Sequence, residues 1–377
     1  MIKEENQMKF SCEKYLLQGA CAIASRATAS KSPIPALEGL LLEAGATLKV
    51  TGYDLKEGIF TNLEADVAQP GAIVVGARLF GEMIRRLPDG IVSIESDETN
   101  NVKVKCGKSE FNFMGIAPED YPEMPIVDGL NSIVLPQKLL RSMINQTIFA
   151  VSDRDDRPIY TGTLFEVADG ELTLVSLDGY RLAKRSEKLE NPDLQNDSFV
   201  VPGSALSDIE RICADEDTPV RIDVGAKHIS FSLSDTVVIT RRLEGTFLNY
   251  RNSIPTNFRY QIQVDRAEII STIDRVALII SEKNSSPVRM SFQDGSIDCL
   301  CVTPIGKAED VCTCEGSGEG LEIGFNDRYL MDALKAAGKE SLFLCLNTAS
   351  SPCVIRAADG SDDFTYMILP VRLRAGD

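Results

Sequence analysis

One stretch of the chain is written three times. IVVGARLFGEMIRRLPD begins at Ile73, FVVPGSALSDIERICAD at Phe199 and IGFNDRYLMDALKAAGK at Ile323, each a β-branched or apolar strand that turns into a helix. Phe80, Leu206 and Leu330 take equivalent places, roughly 125 residues apart. A second strand-to-helix stretch opens each copy: MKFSCEKYLLQGACAIA from Met8, SIVLPQKLLRSMINQTIFAVS from Ser132 and YQIQVDRAEIISTIDRVALIIS from Tyr260. Leu48, Leu172 and Ile297 keep the same beat, and strands such as VKVKCGKSEFNFM, HISFSLSDTVVITRR and PCVIRAADGSDDFTYMIL close each unit. The period is far too long for a solenoid, so each copy must bury a core of its own. The expected fold is α+β, three repeated domains over residues 8–129, 130–256 and 257–373, each with two helices on antiparallel strands. In the first copy Leu79, Phe80, Met83, Ile84 and Leu87 recur at helical spacing as an apolar face, with Arg78, Glu82, Arg85 and Arg86 opposite.

Charge and residue inventory remove most functional classes. A formal net charge of −17 argues against a simple nucleic-acid binder, although it says nothing about how charge is segregated over a surface. No apolar run approaches the ~18 residues of a membrane span, and MIKEENQMKF lacks a signal core, so a cytoplasmic location is expected. Met1–Gln7 reads as a disordered or alternatively initiated leader.

Catalytic sites are hard to assemble from these residues. His228 is the only histidine and lies in a strand-like run, where a structural role is expected. GKS at Gly107 has Val102 where a phosphate loop needs its first glycine, and GSGEG from Gly316 precedes a strand instead of following one. Asp153, Asp155 and Asp156 lack the glycine turn and bidentate glutamate of a calcium loop. Of the ten cysteines, Cys299, Cys301, Cys312 and Cys314 could meet across a hairpin turning near Gly306-Lys307, but alternation along a strand accounts for them as packing. Neither an enzyme activity, nor a metal, nor a cofactor is expected.

The triplication, the segment LVSLDGYRLAKRS and the terminal YMILPVRL together resemble the β subunit of bacterial DNA polymerase III, the replicative sliding-clamp family, from Met8 to Leu373. The resemblance implies a ring of two three-domain chains joined head to tail around duplex DNA, with helices lining the hole. It further implies a processivity factor that tethers the polymerase III catalytic subunit and serves the clamp loader, other polymerases and repair proteins carrying short clamp-binding motifs. The alternative is a multidomain scaffold that binds peptides without encircling DNA.

Residue by residue, the resemblance assigns DNA attraction to Lys31, Arg78, Arg85, Arg86, Lys138, Arg141, Arg154, Arg275 and Lys335. Such cations attract phosphates without reading bases. It assigns the closure of the ring to Lys105, Lys108 and Phe111 in the first domain, and to Leu278, Ile279, Glu309 and Asp310 in the third. A peptide pocket is implied at Tyr160, Leu177, Gly179, Tyr180, Arg181, Leu182, Leu248, Ser350, Pro352, Met367, Ile368, Leu369, Pro370, Val371, Arg372 and Leu373. Leu177, Leu182, Met367 and Val371 would bury apolar anchors, and Arg181 and Arg372 would bond peptide carbonyls. The chain departs from the family pattern at Leu248 in place of proline, Asn252 in place of arginine, and Ser253 and Ser350 in place of aliphatics, and Arg374–Asp377 extend past the usual end.

Overall fold

The computed structural model describes residues 7–128, 131–189, 195–281, 286–361 and 363–373. The leader, apart from Gln7, and the Arg374–Asp377 extension lie outside them. Among the described residues six α-helices are found: α1 Lys14–Ala24, α2 Ala77–Arg86, α3 Gln137–Asn145, α4 Gly203–Ile212, α5 Arg266–Ala277 and α6 Asp327–Ala336. Their starts follow local chemistry where a cap is present: Asp265 accepts from Glu268 N–H at 2.8 Å, and Asn326 from Tyr329 N–H at 3.1 Å. The repeat landmarks are core residues, with Phe80, Leu206 and Leu330 at most 1% exposed and Leu48, Leu172 and Ile297 fully buried. Leu79 is a correction: it stands 60% exposed. At 3.6 residues per turn it falls about a quarter-turn from the centre of the stripe formed by Phe80, Ile84 and Leu87.

Two compact units divide the chain, one of Met1–Leu140 with Asp208–Arg242, the other of Arg141–Ser207 with Leu243–Asp377. In the first, a five-stranded sheet runs in the order Asp66–Gln69, Met8–Glu13, Ile91–Ser96, Asn101–Cys106, Ser109–Met114. An eight-stranded sheet runs Asn131–Pro136, Pro219–Val224, His228–Leu233, Thr236–Arg241, Glu57–Leu63, Leu48–Tyr53, Gly39–Ala44, Gly71–Gly76. Strand period two sends Leu40, Leu42, Leu48 and Val50 to one face, where they join Leu17, Phe80, Ile94 and Val104 in one apolar core.

The second unit holds one ten-stranded sheet, in the order Asp197–Pro202, Gly162–Ala168, Glu171–Leu177, Arg181–Lys188, Phe364–Ile368, Cys353–Ala357, Ser341–Leu346, Tyr260–Asp265, Gly306–Phe325, Val288–Thr303. Residues of α5 and α6, among them Ile269, Ile273, Leu330 and Leu334, pack into a core with Ile262, Leu344 and Ile355. All pairing given by the registers is antiparallel. The sheets do not stop where the sequence repeats stop. Thr236–Arg241 pairs with Glu57–Leu63, and Arg181–Lys188 pairs with Phe364–Ile368, so strands of neighbouring repeats share one ladder.

The cysteine hairpin forms with its turn between Thr303 and Gly306. Register puts Cys299 opposite Asp310, Cys301 opposite Ala308 and Cys312 opposite Ile297, so no cysteine faces another across the ladder. Cys299, Cys301 and Cys312 are buried, and burial pushes the Cys299 and Cys312 thiols up to about 12. Among the described residues no group of three or more His, Cys, Asp or Glu side chains could hold a metal ion.

Candidate functional site

The pocket positions of the sequence converge within the second unit. Glu171–Leu177 reverses through Asp178 into Arg181–Lys188. Asp178 Oδ1 accepts from the Tyr180 and Arg181 N–H groups at 2.8 and 3.0 Å, while Gly179 takes φ +92°, a conformation that favours glycine. Register then pairs Leu177 with Leu182, Leu182 with Met367 and Met367 with Val354. Residues paired across a ladder share a face, so these four build one apolar floor, joined by Leu164, Val175 and Tyr250.

Tyr160 lies half-buried against that floor, edge-on to Phe247 at 5.6 Å. The loop carrying Leu248 is pinned where Tyr250 Oη donates to Glu166 at 2.7 Å and Arg251 grips the same carboxylate at 2.7 and 3.0 Å. Burial acts to raise the Glu166 pKa, but these bonds prevail and hold it below the usual carboxylate range. The terminal segment leaves the sheet through Leu369, whose N–H donates to the Tyr180 carbonyl at 2.8 Å, and Val371, whose N–H donates to that of Gly324 at 2.8 Å. Leu373 packs over Gly324, and Arg372 is exposed. Ser350 is exposed and Pro352 half-buried, just ahead of Cys353–Ala357. Apolar surface remains at Tyr180, 52% exposed, Leu248, 44%, and Val371, 38%.

The same register corrects two expectations. Ile368 pairs with Arg181, one residue out of phase with Met367 and Leu182, so both side chains belong to the opposite, helix-bearing face. Ile368 is fully buried in the core with α5 and α6 and does not line the pocket. The Arg181 guanidinium is bound to Asp178 at 3.0 Å and Asp332 at 2.6 Å, and lies 4.4 Å from the Tyr329 ring centroid and 5.6 Å from that of Phe149. It is committed within the protein as a wall-positioning group, not held out as a donor to a peptide. Phe149, Tyr329 and Asp332 escaped the sequence reading. An aromatic beside an acidic residue on α6 was the only available signal, and it gains meaning only once Arg181 is placed there.

The cations fall into two sets. Lys31, Arg78, Lys138, Arg141 and Lys335 are exposed and have no ion-pair partner among the described residues. Arg85 and Arg86 share Glu82 at 2.7 and 3.1 Å, Arg154 approaches Asp156 at 3.7 Å, and Arg275 is bound to Asp310. Thus Asp310, expected at the ring interface, and Arg275, expected at DNA, neutralise one another.

Among the described residues each unit also ends in an unpaired sheet edge. Ser109–Met114 ends the five-stranded sheet, with Phe111 39% and Met114 69% exposed. On the strands beside Phe111, Lys105 and Lys103 reach Glu110 at 3.4 and 3.0 Å, and Lys108 is exposed. Val288–Thr303 ends the ten-stranded sheet, and around its hairpin Leu278, Ile305 and Val311 are 78%, 72% and 55% exposed. Ile279 is half-buried against the core, and Glu309 pairs with Lys307. Edges of this kind need covering. Met114, Ile305 and Val311 were not singled out in the sequence, because alternation alone does not say which strand is terminal.

Comparison with known proteins covers nearly the whole chain. Family models of the DNA polymerase III beta subunit match as N-terminal domain over residues 8–125, central domain over 134–249 and C-terminal domain over 251–372. A beta sliding clamp of Halalkalibacterium halodurans is 33% identical over 92% of this chain and 95% of its own length, and that of Bacillus subtilis is 31% identical over 97% and 100%. Among solved structures, the Bacillus subtilis DNA polymerase sliding clamp superposes with a TM-score of 0.93 at 30% identity, covering 98% of this chain and 100% of that one. A sliding clamp of Pseudomonas aeruginosa bound to griselimycin gives 0.92 at 28% identity, covering 97% and 100%.

Proposed function

Because the chain belongs to the DNA polymerase III beta subunit family, we infer from that premise how its own residues carry out the work of a sliding clamp. The protein is a non-catalytic processivity factor that encircles duplex DNA as a head-to-tail homodimer and tethers the replicative polymerase and other partners. The observation that carries this is the match of all three clamp domains in order along the chain, with full-length clamps as relatives. A scaffold that only bound peptides is not favoured.

In this reading the domains span residues 8–129, 130–256 and 257–373. Lys31, Arg78, Lys138, Arg141 and Lys335 supply weak, delocalised phosphate attraction. Arg85, Arg86, Arg154 and Arg275 contribute less, being shared with carboxylates. Closure of the ring holds the clamp on DNA, so loose attraction suffices and permits sliding. The edges at Ser109–Met114 and Val288–Thr303 meet a second copy, with Phe111 and Leu278 as apolar plugs. The floor of Leu177, Leu182, Val354 and Met367, rimmed by Tyr180, Leu248 and Val371, takes the apolar anchors of partner motifs. The site of action is the cytoplasm.

Loading onto DNA tests the reading. After loading, the protein should stay on a nicked circle and run off when that circle is linearised. Equal retention on circular and linear duplexes would remove encirclement.

A further inference from the structure

On the face of the eight-stranded sheet away from its helices, the first unit carries a groove of about 1450 Å³, roofed by the segment from Pro118 to Val127. That exceeds the ~300–1,000 Å³ of small-molecule sites and suits a length of peptide. Its floor includes Leu41, Thr51, Val237 and Ile239. Thr51 is 2% exposed, and its Oγ1 has no hydrogen-bond partner among the described residues, a cost that a native interior rarely leaves standing. Lys49 in the groove is neutralised by Glu43 at 3.0 Å. The uncompensated charges on the wall are Glu119 and Glu123, both exposed and without ion-pair partners among the described residues.

The register supplies a second argument. Leu41 pairs with Thr51 as Leu164 pairs with Val175, and Ser230 pairs with Ile239 as Val354 pairs with Met367. The groove is therefore the first unit's copy of the face assigned above to partner motifs, made more polar where Thr51 and Ser230 replace Val175 and Val354.

We propose that this groove is a second docking site, filled by an extended peptide with apolar side chains flanked by Lys or Arg, whose cations Glu119 and Glu123 attract. For the class of occupant, the inference rests on the peptide reading of the equivalent face in the second unit.

The test uses the homodimer of this chain with methyl-labelled Ile, Leu, Val and Met. The probes are acetyl-Lys-Leu-Ile-Lys-Leu-Lys-amide and the same peptide with Glu for Lys. The basic probe should shift the Val237 and Ile239 methyls and bind about tenfold more tightly than the acidic one. Glu119→Lys with Glu123→Lys, both at exposed positions, should abolish that preference. Met367→Ala should leave this binding intact. Equal affinity for both probes, or shifts confined to Met367, would overturn the second site and leave the first untouched; failure at both faces would remove the peptide reading itself. Probe binding that appears only after deleting Met1–Asn6 would make the chain's own leader the occupant, and self-association abolished by the charge reversal would make it a second copy. Either result overturns a separate partner.

Discussion

Arg181 Nη1 donates to Asp332 Oδ2 at 2.6 Å, joining residues 151 positions apart. The bond fastens the turn that presents Tyr180 to helix α6, where Tyr180 and Tyr329 also stack at 6.3 Å. Asp332→Asn should therefore loosen the pocket wall without removing a wall residue. Because the Asp332 side chain is 44% exposed, the loss should be modest, about 1 kcal/mol or a several-fold drop in partner-peptide affinity. Calorimetric titration checks it, with retention on circular DNA expected to be unchanged.

Leu278→Ala combined with Ile279→Ala should open the ring. Leu278 is 78% exposed in the single chain, so its truncation costs the isolated fold little and the dimer a buried plug. Sedimentation at micromolar concentration should show monomers with an unaltered circular dichroism spectrum. A double variant still dimeric at low concentration would contradict the interface.

Lys138→Ala with Arg141→Ala removes cations at i and i+3 on one exposed helix face. The slope of log affinity against log salt should fall by about 0.9 for each phosphate that is no longer neutralised. Arg85→Ala should change it less, since Glu82 already holds that guanidinium at 2.7 Å. A larger effect at Arg85 than at Lys138 and Arg141 would reverse the ranking.

Glu57 ties stability to pH. Burial, then Asp208 and Asp54, push its carboxyl up to about 8, and Oε1 has no hydrogen-bond partner among the described residues. Between its ordinary value and 8 the folded chain keeps a proton that the unfolded chain has released. Glu57 thus contributes stability that is fully present below the unfolded pKa and is lost as pH rises through the folded one. Glu57→Gln should melt higher than the parent at pH 8.5 and nearly equal to it at pH 4.5. Parallel melting curves across that range would show the group ionised in the fold.

Spacing alone carried the triplication, because a 3.6-residue stripe and a period-two strand bury their apolar residues whatever surrounds them. Phe80, Leu206 and Leu330 were legible for that reason, whereas Leu177, Leu182 and Met367 were named through the family resemblance and only register shows that they share one face. Leu79 was misread because it sits at the edge of its stripe, where neighbouring elements decide burial. Ile368 and Arg181 were misplaced because their neighbours Met367 and Leu182 belong to the apolar floor, and a shift of one residue along a strand sends a side chain to the other face. Sequence by itself determined three copies of a strand-and-helix module without the groups an active site needs. Only the tertiary structure decided that Arg181 is spent on Asp178 and Asp332, that Arg275 is spent on Asp310, and that Thr51 is buried with no side-chain partner among the described residues. Asp178 is a local partner of Arg181, but Asp332 lies 151 positions from it and Asp310 lies 35 from Arg275; ladder register and helix packing bring such groups within hydrogen-bonding range or keep them out of it, and no local pattern records that.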